Sequence, residues 1–429
     1  MRPRNAVTGI VAAALLLAVA APAAGAAPGK LVFQGCQSSP QGPPEPGCSQ
    51  LEGLSYTGAF ALSLDGQNAY ASRPRGVSVF DRDPASGALA YVECFDSTGD
   101  PPCTQVPGMH RTPVDIAVPH DGTSVYLAGG RSGPLISFRR DPQDGRLTFA
   151  ACASSSYGAD GDPPGCPTGS FQEANQVESS RDGRSVYLAD NGCADNTGEC
   201  FASIVVYVRD PQTSLLTETG RGSPATQGDG PFAVTPGTGT VYQLDSNWGT
   251  ISVFKRIGDS RLKRTQCLWP RKQRFQGPCR KIRKMGRAAA IAVSPHGKSV
   301  VTVVNPKRGK SWLTLFHRAR NGKLSFQRRA FDRRLRSIDD LRFSSDGTLL
   351  AASGAGTDSF LLRFKINHRR GEAAVAQCLA SAKRKGCTRI AQLRGLSEIA
   401  GFNRQLYAVA RNPDVVHGLN AILRFGLVK

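Results

Sequence analysis

One order of signals comes round repeatedly along this chain, and a repeat of that kind limits the possible folds more than length or composition does. Its clearest copy runs from Thr112 to Cys166. An apolar run from Val114 to Val118 meets an Asp121-Gly122 turn, then Ser124 to Ala128, then a run ending on Phe138, then Asp141-Pro142 to Gly145, then Leu147 to Cys152. Asp-Gly suits a tight hairpin, because Gly accepts positive φ and the Asp side chain bonds the local backbone. The unit therefore reads as four antiparallel strands.

The aromatic that closes the third strand recurs as Phe80, Phe138, Tyr207, Phe254, Phe316, Phe364 and Phe425, which makes seven copies. First turns stand before them at Asp65-Gly66, Asp121-Gly122, Asp182-Gly183, Gly237 to Gly239, His296-Gly297, Asp346-Gly347 and Asn403-Arg404. Fourth strands open on Leu89, Leu147, Leu215, Leu262 and Leu324, with Ala373 in the sixth copy. The seventh copy has no fourth strand before Lys429, yet Gly29 to Cys36 matches Gly145 to Cys152 with no third strand in front of it. A chain that begins with the last strand of its repeat and ends with the first three is expected to close into a ring, which removes exposed sheet edges. No long window keeps apolar residues at helical spacing, and the 47 Gly and 28 Pro separate short strand-like runs.

The expected fold is all-β: a seven-bladed β-propeller of four-stranded blades, closed by the amino-terminal strand joining the last blade. Blades fall at about 57-94, 112-152, 172-220, 230-267, 287-328, 338-378 and 396-429, the last completed by 30-36. Residues 1-26 read as a signal peptide, with Arg2 and Arg4 before an apolar stretch from Val11 to Ala20 and a small-residue site at Ala24-Gly25-Ala26. The remainder, 27-429, is expected to be one propeller, secreted or held at the cell envelope, with no transmembrane segment after cleavage.

Twelve cysteines fall into six close pairs: Cys36 with Cys48, Cys94 with Cys103, Cys152 with Cys166, Cys193 with Cys200, Cys267 with Cys279, and Cys378 with Cys387. An exported chain keeps such pairs oxidised, and the absence of C-x-x-C or accompanying histidines argues against zinc. Six local disulfides are expected, and neither a metal nor a cofactor.

The run Asp182-Gly183-Arg184-Ser185-Val186-Tyr187-Leu188-Ala189, followed by Tyr207-Val208-Arg209-Asp210-Pro211, resembles the lactonase-type and YVTN-type seven-bladed propellers, as do its counterparts in the other copies. Bacterial 6-phosphogluconolactonase belongs to that group. The resemblance covers nearly all of the chain after the leader and implies the propeller fold, since these are turn and core positions shared across many functions. It also implies an alternative activity, hydrolysis of a lactone or a related isomerisation of a small anionic substrate at the channel mouth. His110, in Gly108-Met109-His110-Arg111, resembles the pre-strand histidine of lactonase propellers and with Glu173 would serve as acid or base. Export and dense cysteines depart from the cytoplasmic sugar lactonase.

Strand direction puts the Asp-Gly and Asp-Pro turns on one face, the bottom, and all six cysteine pairs in loops on the other. Long loops on a rigid scaffold are where binding usually resides. Candidate ligand-binding residues stand just before each first strand: Tyr56, Arg111, Asn175, Asp229, Arg287, Arg336, Arg394 and Glu398, a set suited to a small anionic ligand in the channel.

Charge is distributed as unevenly as any other feature of the chain. Residues 1-250 carry 15 Lys and Arg against 24 Asp and Glu, whereas residues 251-429 carry 39 against 9. Lys255 to Arg287 holds thirteen basic residues and one acid, Asp259, with Arg271, Lys272, Arg274, Lys281 and Lys284 as the candidate patch. Such a patch suits an extracellular or cell-wall polyanion. Nucleic acid is not supported, because only Trp269 and Phe275 interleave there for stacking. No G-x-S-x-G, H-E-x-x-H, P-loop or dinucleotide fingerprint occurs. The reading preferred on sequence is a binding scaffold that uses its stapled top loops and basic second half, ahead of the lactone hydrolase.

Overall fold

The computed structural model describes residues 29–41, 45–156, 165–192, 203–222, 230–237, 239–245, 247–270, 279–306, 310–344, 346–354, 358–402, 404–411 and 420–428. The expected signal peptide, Cys193 and Cys200, Asn403, Asp229, Arg271, Lys272 and Arg274 lie outside the described residues. Seven sheets are present, each with the strand order of a propeller blade, as the repeat predicts. Blade 2 shows the plan: Asp115–Ala117, Ser124–Ala128, Leu135–Arg140 and Leu147–Ala153 pair antiparallel in chain order from the channel outward. Among the described residues no helix is long and apolar enough to cross a membrane.

Ring closure is made by the amino-terminal strand, Leu31–Ser38, which pairs antiparallel with the third strand of blade 7, Asn420–Leu427. Leu31 faces Leu427, Phe33 faces Phe425 and Cys36 faces Leu423. Side chains treat this strand like any other fourth strand. The Gln377 amide of blade 6 donates to Leu31 O and accepts from Leu31 N–H, each at 2.7 Å. Gln266 of blade 4 makes the same two bonds to Leu324 of blade 5, at 3.0 and 2.7 Å. An amide carries one donor side and one acceptor side, so it satisfies both main-chain groups of an outer strand that would otherwise face an open seam.

The core is a series of seams between neighbouring blades rather than one centre. Val301, Leu313 and Leu315 of blade 5 pack with Leu349, Leu362 and Phe364 of blade 6. The repeated aromatics Phe80, Phe138, Phe254, Phe316, Phe364 and Phe425 are all buried. In blades 1 to 6 the register of third against fourth strand shifts at the residue before that aromatic, and in blade 7 it shifts between Phe33 and Gly35. A bulge at one place in every blade raises the local twist.

On the bottom face the repeat signature acts between blades. Arg140, at the end of the third strand of blade 2, is 1% exposed. It donates to Tyr70 Oη at 2.6 Å, Asn68 Oδ1 at 2.6 Å and Asp65 Oδ2 at 3.0 Å in blade 1, and to Gly122 O at 2.8 Å in its own first turn. Tyr70 Oη in turn donates to Gly145 O at 3.0 Å. Arg82 with Tyr407 and Arg318 with Tyr242 repeat the latch at other seams, and Arg256 pairs through two nitrogens with Asp182, at 2.8 and 2.7 Å. The Asp of the Asp-Gly turn thus shapes its own hairpin and anchors the next blade.

Candidate functional site

The first strands of the blades surround an axial cavity of about 580 Å³. Its charged lining comprises Asp115, Glu178, Asp339, Asp340, Glu398 and a single arginine, Arg342. Three of these carboxylates cross a seam to meet the unpaired edge of the next first strand. Glu398 Oε2 accepts Phe60 N–H at 2.8 Å, Asp115 Oδ2 accepts Val177 N–H at 2.8 Å, and Glu178 Oε2 accepts Val234 N–H at 3.2 Å. Arg342 reaches across another seam, donating from Nη2 to Glu398 Oε1 at 3.1 Å and from Nε to Asp340 Oδ1 at 3.3 Å.

Four of these acids surround one cation in a confined space, and the ionisation of Asp115, Glu178 and Glu398 is displaced upward. Burial pushes the Asp115 carboxyl up to about 6. Burial, with repulsion from Asp115 added, pushes Glu178 up to about 7. Glu398 is pushed up to about 8 by burial despite Arg342 beside it, with Asp115 and Asp340 adding repulsion. Asp340 above all, then Glu398, Asp115 and Glu178, holds the Arg342 guanidinium charged against the cost of burial. Water in the channel still reaches Arg342, whose side chain is 49% exposed. The protein surrounds this group on all sides without drying it, so the field between the charges is screened more than in a packed core.

Of the residues expected from sequence, Asn175 and Glu398 line this cavity; Tyr56, His110, Arg111, Glu173, Arg287, Arg336 and Arg394 are not among its lining residues. His110 Nδ1 lies 2.8 Å from Gly108 O and Nε2 lies 3.1 Å from Ser132 O, so both ring nitrogens face main-chain carbonyls. Glu173 accepts from Asn175 Nδ2 at 3.0 Å and lies 3.8 Å from Arg131 Nε. Tyr56 is covered on its ring by the Arg411 guanidinium at 4.7 Å, which also donates to its hydroxyl at 3.1 Å. Arg111, Arg287 and Arg336 are exposed and Arg394 is half-buried. Asp115, Glu178, Asp340 and Arg342 escaped the sequence reading. Their signal was a charge in or at the start of a short first strand, as Asp115 before Ile116 and Arg342 between Leu341 and Phe343.

The top rim is built from the cysteine pairs. Cys36–Cys48, Cys94–Cys103, Cys152–Cys166, Cys267–Cys279 and Cys378–Cys387 are bonded as expected. In blades 1, 4, 6 and 7 each bridge ties the fourth strand to a short fifth strand that pairs parallel beside it: Cys103–Gln105, Arg280–Lys281, Thr388–Arg389 and Ser49–Gln50. Blade 2 has a single parallel bridge, Ser154 to Thr168, in that place. A bridge closing so short a loop restricts the unfolded chain, by about 2 to 3 kcal/mol in the loop-entropy account.

The described part of the basic segment runs along the outer fourth strand of blade 4 and the short strand paired beside it. Lys255, Arg261, Lys263, Arg264, Arg280, Lys281, Arg283 and Lys284 are all exposed. Lys281 Nζ stands 5.8 Å from the Trp269 ring centroid, which orients one ammonium against an aromatic face.

No family model and no curated protein matches the chain. Solved structures match its fold. A periplasmic gluconolactonase from Pseudomonas aeruginosa is 18% identical, with a TM-score of 0.52 over 75% of this chain and 85% of that one. A Bacteroides fragilis protein provisionally assigned as a 6-phosphogluconolactonase gives 18% identity and a TM-score of 0.52 over 75% and 83%. Hydrazine synthase from Kuenenia stuttgartiensis gives 13% and 0.50 over 86% and 96%. Likeness at this level spans unrelated chemistries and shows the propeller fold alone.

Proposed function

We propose that the protein is an exported binding propeller that holds an extracellular or cell-wall polyanion through its stapled top loops and basic second half. The observation that carries this reading is the combination of short fifth strands pinned by disulfides with a run of exposed Lys and Arg on the same rim. Rigid loops lose little freedom on binding, and a one-signed surface steers an oppositely charged partner. The channel carboxylates favour binding over catalysis as the primary role, because three of them already have a structural task in capping main-chain N–H groups across seams. The test is retention on a heparin-like resin. Reversing Arg271, Lys272, Arg274, Lys281 and Lys284 to Glu should abolish retention, and reversing the exposed Lys281 and Lys284 alone should weaken it with the thermal midpoint nearly unchanged, since exposed charges contribute little to folding. Retention indifferent to salt and to these changes would overturn it.

A second reading, hydrolysis of a small lactone, is favoured by a different observation: carboxyl groups displaced into the neutral range beside Arg342 in a cavity of about 580 Å³. A carboxylate near neutrality would activate water, and the guanidinium would hold the developing negative charge. His110 with Glu173 is the competing location for the same chemistry. Hydrolysis of an aldonolactone by wild type, Arg342→Met and His110→Ala separates the cases. Loss only in Arg342→Met places the reaction in the channel, loss only in His110→Ala places it at the rim, and an inactive wild type removes this reading.

A further inference from the structure

We propose that residues 328–336, the end of the fourth strand of blade 5 and the start of its connection to blade 6, form with Trp312 the docking site for an acidic polysaccharide. This rests on the polyanion reading above and assigns its specific contact to a different segment. The segment reads Arg328-Arg329-Ala330-Phe331-Asp332-Arg333-Arg334-Leu335-Arg336, five arginines and one acid in nine residues.

The fold explains why this loop differs from its equivalents. Arg329 stands five residues after the leucine that opens its fourth strand, the place held by Cys94, Cys152 and Cys267 in other blades. The loop is held by other means. Leu335 and Ile338 are buried in the seam, and Asn305 brackets Ile338, donating to its carbonyl at 2.8 Å and accepting from its N–H at 3.1 Å. Asp332 pairs with Arg334 through two bonds of 2.8 Å and also accepts the Arg334 N–H at 2.9 Å. Between these anchors Arg333 and Arg336 are exposed, and neither makes a hydrogen bond or ion pair among the described residues. Arg336 stands near enough to Arg384 to add to the burial that lowers the latter's pKa.

Next to the arginines lies an open ring. Phe331 is 60% exposed, the most exposed large apolar side chain among the described residues. It packs on Trp312 with centroids 5.9 Å apart, while the Arg329 guanidinium covers the Trp312 ring at 4.8 Å. A surface kept only for solubility intersperses charges and hides phenyl rings, because like charges repel and exposed rings attract. Here both costs are accepted at one place. Guanidinium groups fit carboxylates and sulfates through paired bonds, and a phenyl ring covers the C–H face of a sugar. Single-stranded nucleic acid fits less well, because successive bases need successive open aromatic faces and Arg329 already occupies that of Trp312. Carboxylates spaced along a stiff sugar chain match arginines fixed on a rigid loop.

The experiment titrates polygalacturonate, and separately a thymidine oligonucleotide, into the full chain at low salt, followed by calorimetry. Wild type should bind the polyuronate. Phe331→Ser, and separately Arg333→Glu with Arg336→Glu, should each weaken it about tenfold, the size expected for losing an interface anchor. Thermal midpoints should stay within a few degrees, since these side chains are exposed. Undiminished affinity in both variants overturns the proposal, and tighter binding of the oligonucleotide through the same residues replaces its occupant. Loss on reversing Lys281 and Lys284 but not here leaves the polyanion reading standing and removes this one. A wild type that binds no polyanion removes both.

Discussion

Carboxylates join neighbouring blades in two places, and their electrostatics are opposite. At the bottom face three turn acids each meet an arginine from the next blade: Asp65 meets Arg140, Asp121 meets Arg209 and Asp182 meets Arg256. Burial opposes ionisation of Asp65, yet bonds from Ser63, Gln67 and Arg140 outweigh it and its pKa falls. Arg256 bonds hold Asp182 well below the usual carboxylate range. In the channel Asp115, Glu178 and Glu398 share Arg342, the one basic residue among the described lining residues, and burial with mutual repulsion raises them to about 6, 7 and 8. One group of seams is stabilised by charge and the other is penalised by it. A ring fold gathers its inner strands about an axis, so like groups placed there face one another; at the periphery they face a partner.

The largest effect is expected where the latch is most enclosed. Arg140→Met removes a guanidinium with four acceptors and leaves Asp65, Asn68, Tyr70 Oη and Gly122 O without it. Breaking a buried, hydrogen-bonded charge from one side costs about 3 kcal/mol or more. Urea unfolding measures it. A loss under about 1 kcal/mol would mean that the latch follows from blade packing rather than supporting it.

The channel should respond to pH in the opposite sense from the latches. Glu398 has its pKa raised on folding, so between about 4.5 and 8 the folded state holds more protons than the unfolded one. Stability from this group is therefore complete at low pH and is lost as pH rises through about 8. Glu398→Gln removes that titration. At pH 5 the variant should nearly match wild type, and at pH 9 it should gain on it by on the order of 2 kcal/mol, reduced by channel water. Parallel stability curves from pH 5 to 9 would show that the channel acids ionise freely. The latch acids act at the other end: lowered Asp65 and Asp182 add stability above the unfolded carboxylate pKa, and it is lost as pH falls toward their folded values.

The same division explains what was legible in the sequence. Turn chemistry and the closing aromatic are local and recur, so seven blades and the strand that closes the ring could be read directly. The latch was half visible: an arginine stands two residues after the aromatic at Arg82, Arg140, Arg209, Arg256 and Arg318, a repeat signal that turn logic alone does not explain. The channel charges share two register places. Asp115, Asp340 and Glu398 stand opposite Ala128, Ala352 and Val409 of their second strands, and Glu178 and Arg342 stand two residues further on, opposite Tyr187 and Leu350. The first of these places holds Phe60, Gln176, Phe232 and Ala290 in the other blades, so no recurring residue type marks it along the sequence. Reading candidates from positions just before the first strands found Asn175 and Glu398, and the other described candidates do not line the cavity.

The smallest effect should come from a seam contact of the same chemistry exposed to water. Arg146 of blade 2 lies 3.3 Å from Glu93 Oε2 of blade 1, with its side chain 58% exposed. Exposed pairs are screened and lose side-chain freedom, so Arg146→Ala should cost under about 0.5 kcal/mol. Glu93→Ala should cost more, about 1 kcal/mol, because Glu93 Oε1 also accepts the half-buried Leu147 N–H at 2.9 Å and its loss leaves that donor unsatisfied. Glu93→Gln should recover most of that difference, since the amide oxygen accepts the same N–H, as Gln266 does for Leu324. If Arg146→Ala and Glu93→Ala cost the same, charge rather than main-chain satisfaction holds the outer seam, and the contrast between latch and outer strand disappears.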